Sequence, residues 1–317
     1  MHRYDRPARS FALLIVLTVA LATPGSALAH SGGPAIALDY RLRLSGDRLP
    51  GVHAEVVDGD KSLRLRVDSS TVLVVKGLLG EPFLRFAPSG VWASRRSPTT
   101  AATKLATMSR SGPAWVLLTA GHGLTWHDHR LTPPADLAAG ASAPWALPLT
   151  VDGRAASLTG TFTRFPRPRA WPWIAVSLGV LGVLLGLRRR LARGPFPTLV
   201  AVVAAAATTV SITGFAAGDA ISRGTEWAEA VAAGLIALAA VATLPAGRAA
   251  RGWAAALAGI SAAALSLGSL SVFWHGVVIS TFSAGVTRLL TVLGLVGGVA
   301  ATVLGGMLAD IDEEPAG

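Results

Sequence analysis

Phe165-Pro166-Arg167-Pro168-Arg169-Ala170-Trp171-Pro172 divides this 317-residue chain into two kinds of sequence. Its prolines hold φ at about −65° and remove backbone donors, so the stretch reads as a short, stiff linker. Before it, short apolar runs alternate with polar residues and Gly/Pro turns. Beyond it, apolar residues continue for about 20 positions at a time, the length needed to cross a bilayer. The contrast predicts an all-β exported domain, an immunoglobulin-like sandwich, joined to an all-α bundle of five transmembrane helices.

On the N-terminal side of the linker, Leu147-Pro148-Leu149-Thr150-Val151, the Asp152-Gly153 turn and residues 156–165 predict a hairpin. Runs at 52–57 and 63–67 flank Asp58-Gly59-Asp60, a second hairpin signal. The stretch from Ala35 to Leu44 ends in strict period two, as a strand with one wet face should. Further short runs at 71–75, 83–86 and 115–119 complete a pattern of about seven or eight strands. Residues 87–113, long, polar and basic, are expected as a loop or short helix over one end. The domain is placed at 30–169, large enough to bury a core without disulfides.

Residues 1–29 carry the three parts of a secretory leader: Arg3, Arg6 and Arg9, an apolar run from Phe11 to Ala22, and Ser26-Ala27-Leu28-Ala29. Cleavage after Ala29 makes His30 the new N-terminus. On the other side of the linker, apolar stretches at 171–187, 195–217, 227–244, 253–273 and 289–308 give the five-span unit at 170–309. Arg188, Arg189, Arg190, Arg193, Arg248 and Arg251 then fall in inner loops, against Arg223 and Arg288 in outer ones, so the positive-inside rule favours an exported β domain, with the leader overruling Arg164, Arg167 and Arg169 on the outer side. The acidic tail, 310–317, is expected in the cytoplasm, and the protein in the plasma membrane.

Composition agrees. With 51% hydrophobic residues and 35 Gly, the chain is too apolar for an ordinary soluble protein. Cysteine is absent, which excludes disulfides, thiolate metal sites and c-type haem attachment. The net charge of +10 comes from scattered arginines without aromatic interleaving, so nucleic acid is not the expected partner. No nucleophile elbow, P-loop or His-Glu-x-x-His motif occurs, and the chain reads as non-enzymatic.

Gly121-His122-Gly123-Leu124-Thr125-Trp126-His127-Asp128-His129-Arg130 is the densest histidine cluster in the chain. If Trp126 to Arg130 is extended, His127 and His129 share one face while Trp126, Asp128 and Arg130 share the other. Two same-face imidazoles can chelate one divalent ion, Cu2+ or Zn2+, with His122 and the freed amino terminus at His30 as further donors. The competing reading makes Asp128 and Arg130 an ion pair, packs Trp126 into the core, and leaves the histidines as structural or partner-contact residues.

The runs Gly80-Glu81-Pro82-Phe83-Leu84-Arg85-Phe86, Gly90-Val91-Trp92, Arg96-Ser97-Pro98-Thr99 and Trp126-His127-Asp128-His129-Arg130 resemble a family of actinobacterial membrane proteins without assigned biochemistry. That resemblance implies the same order of leader, β domain and helices. Where that family carries a third histidine two residues past the cluster, this chain has Thr132. His30 and Asp152-Gly153-Arg154 also resemble, more distantly, the periplasmic copper-resistance protein C family, with arginine at a ligand position. The functional expectation is an envelope protein, embedded in the lipid bilayer, whose sandwich binds a protein partner or a ligand. Divalent metal handling is the alternative, and a small-solute permease a further one.

Overall fold

The computed structural model describes residues 36–45, 49–57, 61–107, 109, 111–191, 194–218 and 224–310. The expected leader, His30, the Asp58-Gly59-Asp60 turn and the tail beyond Asp310 lie outside the described residues. The chain divides into two compact units: Leu38–Pro166, and the remainder with Arg167–Gly317 as its main part.

The first unit is built from antiparallel strands. After the short β1 (Ala37–Leu38), whose Ala37 belongs to the other unit, come β2 (Tyr40–Leu44), β3 (Val52–Val57), β4 (Ser62–Val67), β5 (Leu73–Lys76), β6 (Pro82–Ala87) and β7 (Gly90–Ser94). They are followed by β8 (Trp115–Thr119), β9 (Gly123–His127), β10 (Ser142–Val151) and β11 (Arg154–Arg164). A seven-stranded sheet has the order β2-β11-β10-β5-β6-β7-β8, and a three-stranded sheet the order β3-β4-β9. Period-two patterning puts the apolar residues of both sheets into one core. Leu63, Leu65 and Trp126 come from the smaller sheet; Leu73, Val75, Phe83, Leu147 and Leu149 come from the larger. Fully burying such a side chain stabilises the fold by roughly 1.5–3 kcal/mol.

The hairpin expected at Asp152-Gly153 is β10–β11, closed by Val151 opposite Arg154. Both turn residues have positive φ, 49° and 78°, as a tight two-residue hairpin turn requires. The stretch expected as loop or short helix differs in part. It holds β7, paired to β6 and β8, and the short helix α1 (Pro98–Ala102), whose N-cap is Ser97. Gly90 allows β6 to turn back into β7: its φ is 121°, and a Cβ there would meet the Thr119 carbonyl oxygen.

In the second unit each expected apolar stretch contains a helix: α2 (Trp171–Gly186), α4 (Phe196–Gly218), α5 (Gly224–Ala242), α6 (Arg248–Leu267) and α7 (Ala284–Asp310), with the short α3 (Arg188–Leu191) after α2. Three of them, α4, α6 and α7, are long and apolar enough to cross a membrane. The fourth stretch departs from expectation. Its helix ends at Leu267, and Leu270–Phe273 forms a separate 3-10 turn, because apolar composition runs on past the helix stop at Gly268. The chain then forms β12 (Val277–Val278) before α7 begins. The Ile279 N–H donates to the Ile36 carbonyl at 2.9 Å, and Ala37 is buried with Phe215, Val272 and Val292. Ala37 accordingly belongs to the helical unit.

Helices α6 and α7 meet through small residues. A Cβ on Gly259 would lie 2.5 Å from the Gly298 carbonyl oxygen, and one on Gly305 would lie 2.6 Å from that of Gly252. Glycine at these positions lets the two backbones touch. The Thr208 hydroxyl of α4 and the Ser266 hydroxyl of α6 are hydrogen-bonded at 3.0 Å in the buried interior.

Candidate functional site

The histidine cluster sits where β9 ends. Trp126 is 2% exposed and packs edge-on against Phe83, with ring centroids 6.3 Å apart. Asp128 stops the strand. Its side chain accepts from the Arg130 N–H at 2.9 Å and so caps a 3-10 turn at His129–Leu131, the local competition with strand pairing for which aspartate is suited. The expected extended run therefore reaches only His127. Leu131 is buried below the turn.

Asp128 is 2% exposed and fully committed. One carboxylate oxygen accepts from the Arg130 Nε at 2.8 Å; the other accepts from Arg130 Nη2 at 2.6 Å and from the Trp126 indole at 3.0 Å. Burial pushes the carboxyl up, but the Arg130 hydrogen bonds, its charge and the Trp126 donor outweigh that and hold it below its ordinary value. Arg130 also donates to the Lys76 carbonyl at 2.9 Å, and its own carbonyl accepts from the Trp145 indole at 3.0 Å. The cluster thus ties β9 to the end of β5 and to Trp145 within β10.

A second polar knot adjoins it. Glu81, in the turn between β5 and β6, accepts from Ser97 Oγ at 2.5 Å, Thr99 Oγ1 at 2.8 Å and the Leu79 N–H at 3.0 Å. Burial raises its pKa, yet the Ser97 and Thr99 donors bring it down to about 2. Sequence reasoning missed the roles of Glu81 and Trp145. The Ser97-Pro98 helix-start signal, an N-cap followed by proline at N1, was the available clue to the Glu81 partners.

His127 and His129 are both exposed, with ring centroids 5.3 Å apart and planes at 85°. The fold brings these two together. It does not bring His122 to them: the Val67 N–H donates to the His122 carbonyl, so His122 starts the β9 ladder, about 16 Å along the strand from His127 at about 3.3 Å per residue. His30 lies outside the described residues. Among the described residues no group of three or more His, Asp or Glu is placed to hold a metal. The pair offers two imidazole ligands, and Asp128, turned inward, adds none. A Zn2+ or Cu2+ ion held there needs its remaining ligands from elsewhere.

Compared with models of protein families, with curated proteins and with solved structures, the chain matches none.

Proposed function

We propose that this chain is a non-enzymatic envelope protein whose exported β domain binds a ligand or partner and whose helices anchor it in the plasma membrane. One observation carries the reading. Asp128, Arg130 and Glu81, the side chains best suited to chemistry, are consumed in bonds that hold the fold, while His127 and His129 are displayed outward. The finer architecture is a sandwich of the two sheets on five spans, with the C-terminus in the cytoplasm. The shared core supports the sandwich. Its seven-and-three division departs from the four-and-three of an immunoglobulin constant domain, so the proposal is for a sandwich and not for that topology. The arginine distribution supports the orientation. A reporter fused after Gly317 should behave as cytoplasmic and one inserted at Gly140 as exported; the opposite pattern overturns it.

The alternative, binding of Cu2+ or Zn2+, draws support from the 5.3 Å approach of the His127 and His129 rings. Calorimetry on the purified chain tests it. Binding tighter than about 10 μM that disappears in the His127→Ala/His129→Ala variant supports metal handling, since site-built affinity depends on ligand count. Binding unchanged in that variant, or none, leaves the pair as a partner-contact patch.

A further inference from the structure

On the outer face of the seven-stranded sheet, register fixes a continuous row. Thr150, Val74, Arg85, Trp92 and Leu117 are successive cross-strand partners over five strands. An antiparallel sheet with its other face in a core is expected to be polar here. Instead Val74, Trp92 and Leu117 stand in the row beside Thr150 and Arg85, and Leu117 is 44% exposed. A hollow of about 410 Å³ opens in this face, within the range of small-molecule sites. Val72, Val74 and Pro82 line it with the Trp115 indole, and Lys76 and Arg85 supply two cations.

Both rims are fixed. At one, the Asp152 carboxylate accepts from the Val72 N–H at 2.8 Å, and the Asp152 N–H donates to the Val72 carbonyl at 2.8 Å. Asp152 is thereby spent on the backbone beside the Gly153 turn, as Glu81, next to Pro82, is spent on Ser97 and Thr99. At the other, Arg130 holds the Lys76 carbonyl and with it the backbone that carries the Lys76 ammonium. No carboxylate lines the hollow, and neither Lys76 nor Arg85 is in an ion pair among the described residues. Two like charges beside apolar walls repel each other and attract an anion more strongly than they would in open water. Trp115, Val72 and Val74 in the lining favour an apolar or aromatic body.

We infer that this hollow is a binding site for a small amphipathic anion, an apolar or aromatic body carrying a carboxylate or phosphate group. The inference rests on reading the β domain as a ligand binder, but it uses none of the histidines. The test is calorimetric titration of the full chain, in a neutral detergent, with 2-naphthoate as probe. Expected is saturable binding that weakens at least tenfold in Lys76→Gln/Arg85→Gln and in Trp115→Ala, with unfolding midpoints within a few degrees of the parent. The neutral 2-naphthamide and inorganic phosphate should each bind at least tenfold more weakly than 2-naphthoate. His127→Ala/His129→Ala should leave naphthoate binding unchanged. Absence of binding below about 1 mM, or equal binding by the charge-removed variant, overturns the site. Equal binding of inorganic phosphate overturns its amphipathic character. Either failure leaves the histidine-pair titration intact as a separate test of the broader reading.

Discussion

Replacing Asp128 by alanine should be among the most damaging single changes in the β domain. It removes the acceptor for the Trp126 indole and for three Arg130 donors, the backbone N–H, Nε and Nη2. The Arg130 side chain is 14% exposed, so the guanidinium becomes a nearly buried charge without its partner. Removing one member of a buried pair costs about 3–5 kcal/mol, and the orphaned indole is part of that cost, not an addition to it. For a unit of this size the loss lowers the melting temperature by roughly 10–20 °C. Heat and urea unfolding of the full chain, followed by tryptophan fluorescence, measures it. Asp128→Leu/Arg130→Met should recover much of the loss, because it leaves neither charge unpaired. The sign of the acid dependence follows from the depressed carboxyl. Its contribution is present above the unfolded value of about 3.9 and disappears as pH falls through the lower folded value. A loss below about 1 kcal/mol in Asp128→Ala, or additive effects in the double variant, would refute the buried-pair reasoning.

Glu81 gives a second acid-sensitive contribution: with a folded value of about 2 against 4.5, its stabilisation should be complete above pH 4.5 and lost towards pH 2. Solvent screening limits it to about 1–2 kcal/mol, and Glu81→Ala should flatten the acid-unfolding curve over that window. In the helical unit, Gly259→Leu should separate α6 from α7, since even a Cβ meets the Gly298 carbonyl. The melting temperature of the helices in detergent should fall clearly, by the several degrees that overpacking of about 1–3 kcal/mol produces, while Gly179→Ala within α2, with nothing near its Cβ, should not lower it.

Much of the fold was legible because period and length carry it. The runs at 52–57 and 63–67 became β3 and β4 in register from Val52–Val67 to Val57–Ser62, and Asp152-Gly153 closed a hairpin as its φ requirement foretold. β7 was not legible. Gly90-Val91-Trp92-Ala93-Ser94 is short, its register shifts against β8 at Val91/Trp92, and the basic residues after it disguise a strand buried among its neighbours. The end of α6 was hidden for a different reason: hydropathy measures transfer to an apolar medium and is blind to whether Leu270–Phe273 continues a helix or turns in 3-10 form. At the site, alternation correctly sorted Trp126 and Asp128 inward from His127 and His129. It could not foresee that aspartate would end the strand, or that His122, near in sequence, would be held a strand-length away.

The two readings of the cluster, structural and binding, are less opposed than the sequence alone implies. Had the strand run on through Arg130, the histidine side chains would have stood about 7 Å apart at the backbone, splayed along an edge. Asp128 instead turns inward, accepts the Arg130 N–H and starts the 3-10 turn, and the His129 ring comes edge-on to His127 at 5.3 Å. Arg130 then anchors that turn to the Lys76 carbonyl, and Trp145 anchors it again through the Arg130 carbonyl. The ion pair therefore fixes the geometry of the two exposed imidazoles. The same Arg130–Lys76 bond fixes the rim of the hollow on the outer face. A buried knot that spends its own charges holds two outward-facing surfaces in shape, and the binding proposed for each surface depends on a geometry that the knot maintains.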